Sequence, residues 1–299
     1  MARRSRYLAE IRAAYETVKS QCRADWQSSE LSDAILALAS LSLTFLTSRC
    51  AQVDLVSRVP GKQYFGFVRA DDRKTVSRPV NSEMFLLDPS AVAAQWRNWE
   101  RVAATPAAWA KLSYTVALAP CLAMELFDRQ NKKGPATYFE CLIGHIFTRT
   151  LGTNPSKQAS LPVGGSAVRL TMDFLFERAD GVRVHLPVKM STRERVVQAW
   201  AHQRILDGAY GPGAYKGIMV LFSETKLDSR SHEVVEICVP GQWLVYQLLL
   251  ARMTRVYYFD VPSRYQTLTD DYPELIQIRR FGEFFTERET VLRAEPGAS

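Results

Sequence analysis

The sequence predicts an α/β protein in which helices flank a mixed β-sheet and a helical N-terminal region precedes it. Apolar residues at helical spacing alternate along the chain with short apolar runs that end at turn residues. The segment Ala179-Asp180-Gly181 joins two of these runs as a hairpin. From residue 137 onward the order helix, strand, strand, helix, strand, helix, strand is typical of layered α/β domains.

The N-terminal region is predicted to be mainly helical. Two amphipathic helices are expected at residues 5–25 and 30–49, because apolar side chains recur there every three or four residues. Residues 53–87 are interrupted by glycine and proline and form loops or short strands. Residues 89–127 are helical again. We expect residues 1–130 to pack on a core formed by residues 131–299, within one continuous domain.

The core has alternating predicted helices and strands. The helices are expected at residues 137–150, 192–206 and 242–253. The strands are expected at residues 168–178, 182–190, 217–222 and 256–261. These segments give a mixed sheet with helices packed against it.

Composition favours a globular protein with a polyanionic partner. Of the 299 residues 47% are hydrophobic and 23% charged, which is enough for a real core. A formal charge of +7 is compatible with nucleic acid, although many basic enzymes share it.

Membrane insertion and export are not expected. The longest uncharged apolar run, residues 34–46, is shorter than the roughly 20 residues that span a bilayer. The basic N-terminus lacks the uninterrupted apolar stretch of a signal peptide. Five scattered cysteines without a CxxC pair indicate reduced thiols in a cytoplasmic protein.

Asp173 interrupts the apolar strand LTMDFLF, where a carboxylate is costly unless it is paired or binds a cation. The hairpin brings this strand next to the one that carries Lys189. Hydrolysis of a phosphodiester requires a divalent cation that activates water, and a positive side chain that steadies the nucleophile and the developing charge. We therefore predict a catalytic centre at Asp173 and Lys189. The alternative is a surface or arginine-paired Asp173 and a solvated Lys189.

A second carboxylate is needed if the cation is Mg²⁺. Glu140 is the candidate, because Glu140, Gly144 and Thr148 lie on one face of the predicted helix. Gly144 would leave room beside the carboxylate for an ion or a DNA backbone. The alternative is an exposed helix glutamate that is solvated or paired with a basic side chain of another segment.

The helix after Lys189 begins with the sequence STRER. Arg193 and Arg195 are expected beside the catalytic centre, where arginine can bind guanine O6 and N7 and Glu194 can accept from cytosine N4. The alternatives are a capping box formed by Ser191 and Glu194, and arginines that contact phosphates or solvent.

These residues resemble the core of the PD-(D/E)xK nuclease superfamily. The segment VKMSTRER is similar to type II restriction endonucleases whose sites contain a CCGG or CC-N-GG core. In those enzymes an Arg-Glu/Asp-Arg element that binds the CC:GG bases begins four residues after a lysine, as Arg193 follows Lys189. The resemblance covers about residues 137–206. It implies a restriction-endonuclease-like fold, with Asp173 and Glu140 as metal ligands.

Two features depart from the pattern of these enzymes. Pro187 stands where the superfamily has the acidic residue of (D/E)xK. The enzymes that the chain resembles often carry a replacement carboxylate on the following helix, where this chain has His202 and Gln203. We expect these two residues to be weaker neighbours of a metal held by Glu140, Asp173, a backbone carbonyl and waters. His145, His185 and His232 are expected to be structural.

The resemblance implies a Mg²⁺-dependent endonuclease that cuts double-stranded DNA at a short palindromic site, as a homodimer or a tetramer. One alternative is a repair or recombination nuclease of the same superfamily that recognises DNA structure. Another is a DNA-binding protein that keeps the fold without catalysis, which Pro187 leaves open. A basic protein- or membrane-binding domain would require no particular residue at positions 173 and 189.

Overall fold

The computed structural model describes residues 2–100, 105–191 and 196–293. The chain divides into two compact units. The first consists of Met1–His145 and Thr225–Glu236, and the second of Ile146–Glu224 and Ile237–Ser299. Both helices and strands are present, with a large sheet flanked by helices, so the α/β class predicted from the sequence is confirmed.

The helices of the described residues are, in chain order, α1 (Ala2–Ala24), α2 (Ser29–Arg49), α3 (Pro89–Trp96), α4 (Pro106–Phe127), α5 (Lys133–Leu151), α6 (Val196–Tyr210), α7 (Pro240–Leu249), α8 (Ser263–Asp271) and α9 (Phe281–Val291). The strands are β1 (Cys50–Leu55), β2 (Tyr64–Arg69), β3 (Asp72–Val76), β4 (Val80–Asn81), β5 (Ser156–Val163), β6 (Ser166–Glu177), β7 (Arg183–His185), β8 (Val188–Lys189), β9 (Lys216–Leu221), β10 (Thr225–Leu227), β11 (Val234–Glu236), β12 (Arg255–Tyr258) and β13 (Ile278–Arg280).

The first unit combines apolar helices with a small antiparallel sheet. Strands β1, β2 and β3 pair in that order, and β4 pairs with β2. Helix α2 begins where the Ser28 side chain accepts a hydrogen bond from the Leu31 amide, and α4 begins where Thr105 caps Ala108 in the same way. Each cap satisfies an amide that has no partner inside its helix.

Helices α2 and α4 are long and apolar enough to cross a membrane. In α2 56% of the most apolar window is buried inside the protein, and in α4 89%. Core helices pass the same test of length and hydropathy. We therefore interpret both as core helices of the first unit, in line with the expectation for residues 34–46.

The second unit is built on a seven-stranded mixed sheet in the order β13-β12-β9-β7-β6-β5, with β8 paired to β9. The pairs among β13, β12, β9 and β7 are parallel, whereas β5, β6 and β7 pair antiparallel. Adjacent tyrosines of β12 point to opposite faces. Tyr258 packs among side chains of α6, α7 and α8, and Tyr257 packs against Phe284 of α9. Helices therefore cover both faces of this sheet.

The prediction of one strand at residues 182–190 is wrong in one respect. The structure divides this segment into two strands, β7 and β8. Strand β7 pairs with both β6 and β9, whereas β8 pairs with β9 alone. Leu186 donates to the Phe174 carbonyl of β6, which ends the ladder on that side. The Pro187 carbonyl accepts from the Val220 amide of β9, so the amide hydrogen that proline lacks is missing from the ladder with β9.

Candidate active site

Asp173 and Lys189 meet on neighbouring segments of the second unit. The Asp173 Oδ2 atom accepts two hydrogen bonds, one from Lys189 Nζ at 2.7 Å and one from the Val188 amide at 2.9 Å. Both side chains are largely covered, with exposed fractions of 20% for Lys189 and 23% for Asp173. The structure therefore brings together the carboxylate and the ammonium that the sequence placed in one centre.

This contact forms where the ladder between β6 and β7 ends. The β6–β7 register pairs Leu175 with His185, so its continuation would place Pro187 opposite Asp173. After Leu186 the Val188 amide bonds to the Asp173 side chain in place of a β6 carbonyl. Side chains alternate between the faces of a strand, so Asp173, His185 and Lys189 belong to the same face.

One oxygen of the Asp173 carboxylate remains available. Both hydrogen bonds go to Oδ2, and no described residue donates to Oδ1. An extended residue directs its N–H and C=O to the same side of its strand. The Val188 carbonyl is therefore directed to the side of β8 on which its amide contacts Asp173.

His185 is fully buried beside this centre and is held by Gln203 of α6. The His185 Nδ1 atom lies 3.0 Å from Gln203 Oε1. The Gln203 amide nitrogen donates to Asp207 Oδ1 and to the Tyr215 carbonyl, both at 2.9 Å. These two acceptors fix the amide orientation, so Oε1 faces His185 and His185 Nδ1 carries the proton. Gln203 then has no polar atom left to bind a metal.

Burial keeps the His185 imidazole neutral. Loss of solvation lowers the pKa of His185 to about 4, and this outweighs the hydrogen bond that His185 donates to Gln203, which raises the pKa. The Nε2 atom is buried and has no hydrogen-bond partner in the described part of the chain. His185 was expected to be structural with no partner in the catalytic region. The strand alternation from 185 to 189 was the signal for its place beside Lys189.

Gln203 reaches His185 through a gap that a glycine leaves in β9. A Cβ atom on Gly217 would lie 2.7 Å from Gln203 Oε1 and 2.6 Å from the Met253 sulfur. Side-chain atoms do not approach a Cβ so closely, so any larger residue at 217 would displace Gln203. The small residue in this strand therefore holds α6 in place over the sheet.

His202 precedes Gln203 on α6 and is half-buried. Its ring centroid lies 6.2 Å from that of His185. Burial lowers the pKa of His202, the charge of Asp173 raises it, and the charge of Lys189 lowers it. Neither ring nitrogen has a hydrogen bond to a described residue. His202 therefore lies within electrostatic reach of the centre.

The structure does not test the other predicted site residues. Glu140 is half-buried on α5, in the part of that helix that belongs to the first unit. Arg193, Glu194 and Arg195 lie outside the described residues. Within the described ranges no group of three or more His, Cys, Asp or Glu side chains is arranged to hold a metal ion.

No protein-family model and no curated protein sequence matches this chain. Two solved structures match. One is the type IIP restriction endonuclease Kpn2I, with a TM-score of 0.79 and 23% identity over 95% of this chain and 97% of that chain. The other is the restriction endonuclease PspGI in complex with substrate DNA, with a TM-score of 0.41 and 14% identity over 63% of this chain and 80% of that chain.

The likeness to Kpn2I extends over nearly the whole of both chains. It shows that this chain has a restriction-endonuclease-like fold, so the fold that the sequence resemblance implied is confirmed. At 23% identity the likeness establishes the fold and leaves the activity to the chemistry of the site.

Proposed function

We propose that this chain is a type II site-specific deoxyribonuclease that hydrolyses phosphodiester bonds in double-stranded DNA with the help of Mg²⁺. The observation that carries the proposal is the Asp173–Lys189 pair, in which one carboxylate oxygen accepts both hydrogen bonds and the other remains available. The restriction-endonuclease-like fold and the charge of +7 support it.

The oxygen atoms beside Lys189 suit a hard divalent cation. Asp173 Oδ1 and the Val188 carbonyl would hold Mg²⁺, which prefers oxygen ligands and retains several waters. Glu140 is proposed as a second carboxylate ligand, and Gln203 and His202 as neighbours of the metal. When bound, the cation polarises the phosphate and lowers the pKa of a bound water.

Lys189 has two tasks in this proposal. Its ammonium group holds Asp173 Oδ2 at 2.7 Å, which orients the carboxylate so that Oδ1 faces away from the lysine. The same positive charge lies beside the scissile phosphate and offsets the negative charge that develops on its oxygens. The Val188 amide fixes the carboxylate from the backbone, so the geometry does not depend on the lysine alone.

Base recognition is assigned in this proposal to Arg193, Glu194 and Arg195, at a palindrome with a CCGG or CC-N-GG core. A palindromic site matches a two-fold symmetric protein, so we propose a homodimer, which could pair further into a tetramer. All five cysteines are free, which supports a cytoplasmic location.

The test is cleavage of a long natural DNA by the purified full chain with Mg²⁺. We expect discrete fragments whose ends share one short palindrome. Asp173→Asn should reduce the cleavage rate by about 1000-fold or more, because it removes a charged metal ligand. The same variant should still bind the mapped site in Ca²⁺.

Other outcomes of this experiment distinguish the alternatives. Cleavage at junctions or flaps without a common sequence would indicate a structure-specific nuclease. Specific binding without cleavage by the wild-type chain would indicate a DNA-binding protein that has lost catalysis, as the missing acid at Pro187 would allow. Undiminished cleavage by Asp173→Asn would show that the centre lies elsewhere.

A further inference from the structure

The second unit offers few ligands for a cation next to Asp173. Pro187 occupies the strand position opposite Asp173 and supplies no carboxylate. Helix α6 covers this face of the sheet, and Asp207 is its one acidic residue between Val196 and Tyr210. Asp207 accepts a hydrogen bond from Gln203, which also bonds to the Tyr215 carbonyl and to His185. Gln203 is therefore bound to Asp207 and to the buried His185 ring.

His202 is the side chain of α6 that remains. It lies next to Gln203 in the chain, with its ring centroid 6.2 Å from that of His185. His185 shares a sheet face with Asp173 and Lys189. The influence of both charges on the pKa of His202 agrees with this location. Both ring nitrogens lack hydrogen bonds to the described residues, and a neutral imidazole nitrogen is an effective metal ligand.

We propose that His202 selects the metal, by binding with a ring nitrogen the cation that Asp173 Oδ1 holds. This inference rests on the proposed metal site. Imidazole favours transition metals such as Co²⁺, whereas Ca²⁺ and Mg²⁺ favour oxygen. His202 also adds no negative charge, and the charge of Asp173 is offset by Lys189 at 2.7 Å. With His202 as a ligand, this part of the site therefore holds a nitrogen-binding cation more tightly than a hard cation.

The surroundings of His202 keep the second ring neutral as well. The ring centroids of His185 and His202 lie 6.2 Å apart. A protonated His185 would therefore place a positive charge close to His202 and would repel a cation bound there. Burial holds His185 in the neutral form, although its hydrogen bond to Gln203 raises its pKa. The neutral His185 ring thus does not repel a cation at His202.

The experiment measures metal binding directly, without DNA. The purified full chain is titrated with Co²⁺ and, separately, with Ca²⁺ by calorimetry, and the visible absorption of bound Co²⁺ is recorded. We expect His202→Ala to weaken Co²⁺ binding by about tenfold or more, to change the cobalt spectrum and to alter Ca²⁺ binding by less than about threefold. His202→Glu should weaken Co²⁺ binding and strengthen Ca²⁺ binding, because a nitrogen ligand is replaced by a carboxylate.

Two controls keep the result interpretable. Gln198→Ala changes an exposed side chain on the same helix and should leave binding of both metals unchanged. Asp173→Asn should weaken binding of both metals, since it alters the shared oxygen ligand. The thermal unfolding of each variant is measured to confirm that it is folded. His202→Glu keeps a polar side chain at this half-buried position and serves as the second variant if the alanine variant does not fold.

Co²⁺ affinity and spectrum that are unchanged in folded His202→Ala or His202→Glu would overturn the inference. Absence of Co²⁺ binding by the wild-type chain would overturn it too. Its failure is distinguishable from failure of the proposed function. A chain that binds Co²⁺ through His202 but does not cut DNA retains the inference and loses the nuclease. If the wild-type chain cuts specific sites and its His202 variants bind Co²⁺ with unchanged affinity, the proposed nuclease function is retained and the inference about His202 is lost.

Discussion

Two ion pairs, one in each unit, differ in whether an oxygen of the carboxylate remains available to another partner. In the first unit Arg78 binds Glu125 of α4 through both carboxylate oxygens, with Nε donating to Oε2 at 2.9 Å and Nη2 donating to Oε1. In the second unit Lys189 and the Val188 amide share one oxygen of Asp173. The first pair is closed, and the second keeps an oxygen for another partner.

The type of cation explains part of this difference. A guanidinium presents parallel donors that match both oxygens of a carboxylate, whereas an ammonium is a compact charge that binds one of them. The Glu125 side chain is 9% exposed, so its pairing serves to keep a buried charge satisfied. The Asp173 side chain is 23% exposed and is reachable by a ligand. We infer that the closed pair stabilises the fold and that the open pair belongs to a site.

Among the variants that test this comparison, the largest effect is expected from removing the lysine of the open pair. Lys189→Met should reduce DNA cleavage by roughly 100- to 1000-fold, because the charge that offsets the developing negative charge is lost. The free energy of unfolding should change by no more than about 1 kcal/mol, since the pair is partly exposed and Asp173 keeps the Val188 amide. Cleavage rates and urea unfolding measure the two effects.

A matched lysine–aspartate pair provides the control. Lys226 lies 3.7 Å from Asp228 and is 39% exposed, in the hairpin of β10 and β11. Lys226→Met should leave the cleavage rate within about threefold of the wild type, because a single solvated charge contributes little. A similar loss of cleavage in both variants would mean that the open pair has no special role.

Breaking the closed pair should reduce stability and leave cleavage unchanged. Glu125→Gln keeps the shape of the side chain but leaves the Arg78 charge unpaired, which should lower the free energy of unfolding by about 3 kcal/mol. Cleavage per folded molecule should not change. Urea unfolding followed by circular dichroism measures the loss, and an unchanged transition midpoint would contradict the structural role of this pair.

The pH dependence of stability should report on the buried neighbour of the open pair. The pKa of His185 is lowered to about 4 in the folded chain from its ordinary value of 6.5, so between these values the unfolded chain binds more protons. Stability that is present above pH 6.5 is therefore lost as the pH falls towards 4. From pH 7 to pH 5 the loss should be about 2 kcal/mol.

His185→Gln separates this contribution from the groups that face it. The variant keeps the four neighbouring side chains Gln203, His202, Asp173 and Lys189. The pKa of His202 is also lowered, so His202 contributes to the pH dependence of stability in the same direction as His185. Urea unfolding at pH 7, 6 and 5 should show a smaller pH dependence in the variant than in the wild type. An equal dependence would mean that His185 is not buried in the neutral form.

The smallest effect is expected at an exposed ion pair on the hairpin of β6 and β7. Arg183 and Glu177 face each other across β6 and β7, with side-chain exposures of 37% and 63%. Glu177→Ala should change the free energy of unfolding by less than about 1 kcal/mol and leave cleavage unchanged. A larger loss in either measurement would show that exposure does not separate the four pairs as we infer.

Local periodicity predicted many of the elements close to their observed bounds. The predictions at residues 5–25 and 168–178 correspond to Ala2–Ala24 and Ser166–Glu177, because both segments carry a clear helical or strand pattern. The predicted helix at residues 89–127 is two helices, α3 and α4. The three-residue strand β13 was missed, since its place is set by the parallel neighbour rather than by a pattern of its own.

Part of the candidate site could likewise be predicted from the sequence, and part could not. The hairpin turn and the alternation of strand side chains predicted that Asp173 and Lys189 meet. The link from His185 to Gln203 spans 18 residues and depends on how α6 crosses the sheet. No local pattern specifies that crossing.

The sequence by itself determined the fold class, the strand that carries Asp173 and the nearness of Lys189, because period-two alternation and a tight turn act between residues close in the chain. The tertiary structure alone decided that both hydrogen bonds fall on one carboxylate oxygen, that burial lowers the pKa of His185 and that the His202 ring lies near that of His185. These depend on burial and on contacts between separate elements, which exist only once the helix is packed on the sheet.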